Sequence, residues 1–206
     1  MKWLLNNWDQ VLLALGQHIV IASTSIGIAF VISLIVGVWA ARHESVFRAA
    51  IALTGLLYTI PTLAFLALLI PIVGLGKTNA IICMVAFSLM IMVRNVATGI
   101  REVPREVVDA ARGMGMTALE ILARIELPLA LPVIVAGLRI ATVTVISVAV
   151  VAAYVNAGGL GTLIFNGISN DHAPKIWTGA LLACALSIAA DLSLARLEGW
   201  LRHRAN

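Results

Sequence analysis

Residues 18–41 read HIVIASTSIGIAFVISLIVGVWAA, a run without a single Asp, Glu, Lys or Arg. An α-helix needs about 20 apolar residues to cross the hydrocarbon core of a bilayer, which is roughly 30 Å thick. The run meets that length, and it exceeds the about 7–15 apolar residues of a secretory signal peptide. We therefore interpret residues 18–41 as a retained transmembrane helix, which sets the class of fold.

Apolar runs of the same kind recur along the rest of the chain. Hydrophobic residues make up 61% of the 206 positions and charged residues 12%, and the mean hydropathy is +1.03. An ordinary soluble domain has about 25% charged residues. The further predicted spans are residues 50–73, 78–98, 130–155 and 176–197, and a short amphipathic start contains Trp3, Leu4, Leu5 and Trp8. The sequence predicts an all-α membrane protein with about five transmembrane helices, in which residues 1–206 form one membrane domain.

The basic residues lie mainly between the apolar runs, and they predict the orientation. The formal net charge is +4, but the charges form no basic stripe of the kind that binds nucleic acid. Ten of them fall on one side of the predicted spans: Arg42, Arg48, Arg94, Arg101, Arg105, Arg112, Arg124, Arg196, Arg202 and Arg204. Three fall on the other side: Lys2, Lys77 and Lys175. The positive-inside rule therefore predicts an N-terminus outside and a C-terminus in the cytoplasm.

A long polar stretch, residues 99–127, separates the third and fourth spans on the predicted cytoplasmic side. Its helix signals are an opening proline, two interrupting glycines, a capping-box pair and a closing proline: Pro104, Gly113, Gly115, Thr117 with Glu120, and Pro128. These signals predict one short helix, a glycine break and a second short helix that ends at the last proline. Long surface loops between spans often carry a binding function.

Within this stretch, residues 109–128 read DAARGMGMTALEILARIELP. They resemble the signature of ATP-binding-cassette (ABC) importer permeases, which is Glu-Ala-Ala, three residues, Gly, nine residues and Ile-x-Leu-Pro. The matching residues are Asp109, Ala110, Ala111, Gly115, Ile125, Leu127 and Pro128, with aspartate in the place of the first glutamate. The resemblance implies the type I importer permease fold. It also implies that a coupling loop, about residues 99–128, docks into a nucleotide-binding subunit, where small residues permit close approach.

Three further stretches, residues 57–71, 127–143 and 156–168, resemble permeases for the osmoprotectants glycine betaine, carnitine and choline. One five-helix chain offers too few walls for a substrate-sized path, so we expect a second permease subunit, which is either identical to this one or different. The resemblance implies two ATPase subunits and a separate extracytoplasmic binding protein at a bacterial cytoplasmic membrane. The nearest alternative is an importer of the same class for an amino acid, methionine or a thiolated betaine. An ion-coupled secondary carrier, which commonly has two related halves, and a non-transporting scaffold are alternatives of other classes.

The sequence predicts no covalent chemistry on this chain. It lacks a GxxxxGK[ST] phosphate loop, and its glycine-rich run at residues 158–161 has no lysine, so we expect a tight outer turn there, with a substrate loop as the alternative. ATP and magnesium would then belong to the partner ATPase, and we expect no catalytic residue, cofactor or metal site. Cys83 and Cys184 lie in apolar segments and are predicted to be small core residues.

Polar residues inside or beside the predicted spans are candidates for the translocation path. Tyr58, Thr59, Pro61 and Thr62 place polar groups and a helix breaker in the second span. Backbone groups freed by a proline there need an internal partner or a water-lined cavity, although a simple packing kink is the alternative. A path-facing Tyr58 would attract a quaternary ammonium group by cation–π interaction. Asn156, beside the glycine-rich run, is the fifth candidate.

Arg139 and Asp191 are conspicuous charges inside the fourth and fifth spans. At about 1.5 Å per residue they lie at similar depth, roughly 10 Å and 9 Å from the cytoplasmic ends of their spans. Charges within a membrane normally face protein or water and find partners. We predict that the two residues pair as a structural lock, with snorkelling to the inner interface as the alternative.

Overall fold

The computed structural model describes residue 3 and residues 6–205, without the side chains of residues 204 and 205. The helices are α1 Trp8–Arg42, α2 Glu44–Thr59, α3 Thr62–Val73, α4 Lys77–Arg101, α5 Arg105–Gly113, α6 Ala118–Ile121, α7 Leu127–Val151, α8 Leu160–Ser169 and α9 Ala173–Ala205. A π-type turn, Leu122–Glu126, joins α6 to α7, and a 3-10 turn, Ala152–Val155, follows α7. Among the described residues, four helical runs are long and apolar enough to span a membrane, or five if α2 and α3 form one broken span. The predicted all-α membrane fold is confirmed.

The boundaries differ from the predicted ones at both ends of the chain. α1 begins at Trp8 instead of residue 18, and α9 covers Ala173–Ala205 instead of residues 176–197. Leu4 and Leu5 of the predicted amphipathic start lie outside the described residues. α1 has 35 residues and α9 has 33, which is more than the about 20 that cross the bilayer.

α4 forms the centre of the bundle and packs against α1, α2, α3 and α7. Its core face includes Cys83, Met84 and Val96, which are almost completely buried. α9 lies at the edge of the bundle, against α7 and α8, and contributes little to the core. The prediction that both cysteines are core residues is therefore right for Cys83 and wrong for Cys184, which is exposed on α9.

Glycines let α4 approach two neighbouring helices closely. A Cβ atom added at Gly37 of α1 would lie 2.6 Å from the Cβ of Val96, and one added at Gly137 of α7 would lie 2.5 Å from the Cβ of Asn95. Both distances are far below van der Waals contact, so only glycine fits. Helix association in lipid depends on such close packing, because lipid removes most of the hydrophobic driving force.

We expect Gly137→Val to weaken the contact between α4 and α7. The Cβ of Asn95 is fixed to its backbone, so the helices must separate, and overpacking of this kind costs about 1–3 kcal/mol. The unfolding midpoint of the purified protein in detergent should then fall by roughly 3–10 °C. Gly16→Val is the matched control, because nothing lies within 4 Å of a Cβ added there. Equal midpoints for the two variants would contradict the close contact.

The predicted second span, residues 50–73, is two helices and not one kinked helix. α2 and α3 meet at an angle of 98°. Ile60 has φ −69° and ψ 125°, and Pro61 precedes the first residue of α3. The helical conformation is disfavoured for a residue that precedes proline. Pro61 therefore ends α2, and α3 begins with the residue after it. The break is thus complete.

The polar stretch between α4 and α7 contains the two predicted short helices. The capping box is confirmed, since the Thr117 hydroxyl accepts from the backbone N–H of Glu120 and the Glu120 carboxylate accepts from the backbone N–H of Thr117. The prediction that Pro128 ends the second helix is wrong. The chain continues from α6 through the π-type turn, where the Leu127 N–H bonds to the Leu122 carbonyl, straight into α7. The wider turn and a position near the helix start accommodate the proline.

The glycine-rich run after α7 forms the expected turn and then a helix that was not predicted. Gly158 and Gly159 have φ of +85° and +83°, a conformation that favours glycine. Leu160 begins α8 directly after them, and α8 packs against α9 and the first part of α1. This end of the bundle is called the far end below, and the end that carries α5 and α6 is called the loop end.

Candidate functional site

The signature alanines of the polar loop divide between its inside and its outside. Ala111 is completely buried with Val103, Val108 and Ile121, in a small cluster that folds α5 back onto α6. Ala110 is exposed. Close approach of a partner to a small side chain is therefore possible at Ala110, whereas Ala111 is small because the loop packs on itself.

The other signature residues shape the loop. Gly115 has φ +82° in the turn between α5 and α6, and Asp109 accepts a hydrogen bond from Arg112 Nη1 at 3.1 Å. Near the start of α7 the signature side chains are half-buried or exposed: Ile125, Leu127 and Pro128. The shorter aspartate thus holds a neighbouring arginine on the surface of α5.

Large apolar side chains that the sequence analysis did not single out lie on the outer surface of the loop. Val107 is 41% exposed, and Met114 and Leu119 are each 74% exposed. With Ala110 they form a surface that we call the apolar tip. The signal was available, because Val107, Ala110 and Met114 follow the i, i+3, i+7 spacing of one helix face. Clustered apolar residues exposed on a polar segment mark an interaction surface.

The capping box also sets the charge of the loop surface. The backbone N–H and the hydroxyl of Thr117 both donate to Glu120 Oε2, at 2.9 Å and 2.8 Å. These hydrogen bonds stabilise the carboxylate and lower the pKa of Glu120 below its ordinary value. The start of α6 is therefore held in its capped form at neutral pH.

Two arginines fasten the base of the loop to the neighbouring helices. Arg42 binds both carboxylate oxygens of Glu126, with Nη1 donating to Oε1 at 2.8 Å, and Glu126 is only 3% exposed. Arg101 donates to the Ala40 carbonyl at 2.8 Å and pairs with Glu44 at 2.9 Å. We call these contacts the ion-pair base. They join the ends of α1 and α4 to the starts of α2 and α7, so a force on the loop acts on all four helices.

The structure brings Arg139 and Asp191 together across α7 and α9. Arg139 Nε donates to Asp191 Oδ1, and Nη2 donates to Oδ2 at 3.0 Å. Glu198 is a third member that the sequence analysis missed, with Oε2 3.6 Å from Arg139 Nη1 and Oε1 accepting from Arg202 at 3.0 Å. Its spacing of seven residues from Asp191, two helical turns on the same face, was a usable signal.

We expect Arg139→Gln to reduce the amount of folded protein more than Asp191→Asn does. The first change leaves Asp191 without a cation, whereas the second leaves Arg139 beside Glu198. An unpaired charge within a span costs up to about 2.5–3.5 kcal/mol on insertion scales, so the yield should fall to less than about a fifth for Arg139→Gln and to about half for Asp191→Asn. Fluorescence-detected size exclusion measures the yield. The reverse order would contradict a three-residue cluster.

Four of the five candidate path residues lie at the bend between α2 and α3. Tyr58 is 41% exposed and meets Phe87 of α4 edge to face, with ring centroids 5.6 Å apart. Thr59 and Pro61 are exposed, and Thr62 is half-buried. The fifth, Asn156, lies elsewhere, in the turn after α7 in a left-handed conformation. The structure thus groups four of the candidates and separates the fifth.

A buried histidine ties the far end of the bundle together, and the sequence analysis assigned it no role. His18 Nδ1 accepts from the backbone N–H of Leu160 at 3.3 Å, so Nε2 carries the proton and donates to the Ile146 carbonyl at 3.1 Å. Gln17 accepts from the backbone N–H of Gly159 at 3.0 Å. α1 therefore anchors both α7 and the start of α8. Nothing in the local sequence indicates this pairing, because the partners are more than 120 residues away.

Two solved transporters share this arrangement of helices. The MetNI methionine ABC transporter, solved in inward-facing conformations, superposes with a TM-score of 0.83 at 22% identity, over 95% of this chain and 98% of that chain. An amino acid ABC transporter solved with histidines gives a TM-score of 0.75 at 14% identity, over 98% of this chain and 97% of that chain. The fold is that of an ABC importer permease.

The sequence of the whole membrane-spanning region identifies the family of this chain. Residues 10–204 match the model of the binding-protein-dependent transport system inner membrane component, and the chain belongs to this family. It is thus a membrane subunit of a transport system, and not a catalytic subunit.

Curated relatives of similar length belong to osmolyte transport systems. The osmoprotectant import permease protein OsmW of Salmonella typhimurium is 37% identical, over 88% of this chain and 87% of its own length. The carnitine transport permease protein OpuCB of Listeria monocytogenes is 33% identical, over 93% of this chain and 88% of its own length. The choline transport system permease protein OpuBB of Bacillus subtilis is 34% identical, over 96% and 91%.

Proposed function

We propose that this chain translocates a small osmoprotectant, such as glycine betaine, choline or carnitine, across the cytoplasmic membrane by ATP-driven alternating access. The observation that carries the proposal is the 33–37% identity to permeases named for carnitine, choline and osmoprotectants, over most of both chains. The likeness to methionine and amino acid transporters lies below 25% identity and speaks for the fold alone.

The proposed complex contains two permease subunits, two ATPase subunits and a separate extracytoplasmic binding protein. ATP and magnesium bind the ATPase subunits, and this chain holds neither. We place the loop end in the cytoplasm, the N-terminus outside and the C-terminus inside. The arginines of the loop and of the ion-pair base support this orientation, because they lie at one end of the bundle and the positive-inside rule counts Lys and Arg residues.

In this proposal the polar loop transmits the movement of the ATPase to the helices that form the translocation path. The apolar tip docks into a groove of the ATPase, where Val107, Met114 and Leu119 lose their exposure. The ion-pair base then passes the movement of the ATPase to α1, α2, α4 and α7. The bundle is also interrupted at Pro61, between α2 and α3. Tyr58 lies beside this bend, and its exposed ring suits a quaternary ammonium group.

The test is solute-stimulated ATPase activity of the purified complex, reconstituted with its binding protein. The panel contains glycine betaine, choline, carnitine, methionine and histidine, each at the same concentration. We expect at least one quaternary ammonium compound to stimulate ATP hydrolysis severalfold, and methionine and histidine to have no effect. Stimulation by methionine or histidine alone would contradict the proposed solute class and retain the importer assignment.

A further inference from the structure

A groove runs between α7 and α9 on the surface of the bundle. Two adjoining cavities of about 420 and 460 Å³ form it, and Val143 lines both. The cavity toward the loop end contains the cluster of Arg139, Asp191 and Glu198, and the cavity toward the far end contains Ser147, Cys184 and Ser187. The groove therefore extends along much of the membrane-spanning part of both helices.

Arg139 and Asp191 lie within the membrane-spanning parts of α7 and α9. Arg139 is the central residue of the 25-residue helix α7. Its side chain is 37% exposed and that of Asp191 is 33% exposed, so neither is enclosed by this chain. Charged groups at mid-membrane face protein or water because the hydrocarbon core cannot solvate them. The open side of the groove therefore faces protein or water and not lipid.

The two sides of α7 differ in character. Leu138, Thr142 and Ile146 face α1 across an apolar cavity that Ile19 and Ile26 also line. Residues two positions apart on a helix point about 200° apart, since each residue turns it by about 100°. Ile140 and Thr144 consequently point away from α1, toward the groove with the charged cluster. This side of α7 carries Arg139 and borders α9, and the described residues leave the outer side of the groove open.

The hydroxyl groups of this side are already satisfied. Thr144 donates to the Ile140 carbonyl at 2.9 Å, and Ser147 donates to the Val143 carbonyl at 3.1 Å. Because these hydroxyl groups already donate within the helix, they can face water or a passing solute, and no hydrogen-bond donor is left without a partner when the solute leaves. At the loop end, Arg139 and Arg202 balance the two carboxylates of α9, so the cluster is neutral overall.

We propose that the groove between α7 and α9 faces the water-filled translocation path of the solute, with the Arg139, Asp191 and Glu198 cluster in its wall. The inference rests on the proposed function, because it assigns the path of that transport to one face of the chain. It adds Thr144, Ser147 and Ser187, which the sequence analysis did not select.

Cysteine accessibility tests the assignment in the intact complex, reconstituted in lipid nanodiscs. Cys184 is first replaced by serine, because it lines the groove itself, whereas Cys83 is buried. Thr144→Cys and Ser187→Cys then report on the groove. Val31→Cys is the matched control, since Val31 is 57% exposed on α1 between the buried residues Ala29 and Ser33. The probe is a membrane-impermeant trimethylammonium methanethiosulfonate.

We expect both groove cysteines to react at least tenfold faster than Val31→Cys, because a thiol in lipid stays protonated and unreactive. Groove cysteines that react as slowly as the control would overturn the assignment, whether lipid or a second subunit covers them. The result is separable from the proposed solute class. If no quaternary ammonium compound stimulates the ATPase but the groove cysteines react rapidly, the solute class fails and the path assignment stands.

Discussion

Arg42→Ala will leave little folded protein. The change removes the guanidinium group that binds both oxygens of Glu126, a side chain with 3% exposure. Removing one partner of a buried ion pair costs up to about 3–5 kcal/mol, and Glu126 would stay buried without compensation although the Arg42 side chain is 37% exposed. A typical domain is stable by only about 5–15 kcal/mol. We expect the yield of folded protein in fluorescence-detected size exclusion to fall at least about tenfold.

Two further variants separate the buried charge from a general effect of arginine removal. Arg48→Ala is the matched control, because its pair with Glu44 is 3.7 Å long and both side chains are largely exposed. An exposed pair of this kind is worth about 0–1 kcal/mol, so the yield should remain close to that of the native protein. The double change Arg42→Leu with Glu126→Leu leaves no buried charge and should recover most of the yield. A native-like yield from Arg42→Ala would contradict the role of the ion-pair base.

Met114→Asp combined with Leu119→Asp will separate the chain from its ATPase. Both side chains are 74% exposed at the apolar tip, so the change leaves the fold of this chain intact. Central apolar side chains of an interface commonly contribute about 2 kcal/mol or more each, and two buried carboxylates would add a desolvation cost. We expect co-purification of the ATPase to fall at least about thirtyfold, since 2 kcal/mol corresponds to about that factor.

Ile168→Asp is the control for this loss. Ile168 is also a large exposed apolar residue, but it lies in α8 at the far end of the bundle. The ATPase should co-purify with this variant in native amounts. Native co-purification with the double variant at the apolar tip would show that the ATPase binds another surface.

Much of the loop could be predicted from the sequence because its signals are local. The capping box at Thr117 and Glu120 needs only four consecutive residues, and Gly115 marks a turn by its own backbone freedom. The pairing of Arg139 and Asp191 could be proposed because a lone charge in a span demands a partner at similar depth. Glu198 was missed, although it lies on the same face of α9 as Asp191.

Other features depend on contacts that no local pattern reveals. Pro61 predicts an interruption of the helix, but no local pattern gives the angle of 98° between α2 and α3. Helix α8 is short and apolar, and it is held by His18 and Gln17 from the start of the chain. Pro128 was expected to end a helix because proline usually does, but the π-type turn before it makes room for the ring.

Uptake into proteoliposomes tests the central claim, that this chain forms the translocation path of an ATP-driven importer and transmits the movement of its ATPase. The complex is reconstituted with its binding protein at the outer face, ATP and magnesium at the loop end, and radiolabelled glycine betaine, choline or carnitine. The account predicts accumulation against a gradient that requires both ATP and the binding protein, and that is lost with the double variant at the apolar tip. Accumulation driven by a sodium or proton gradient without ATP would contradict it.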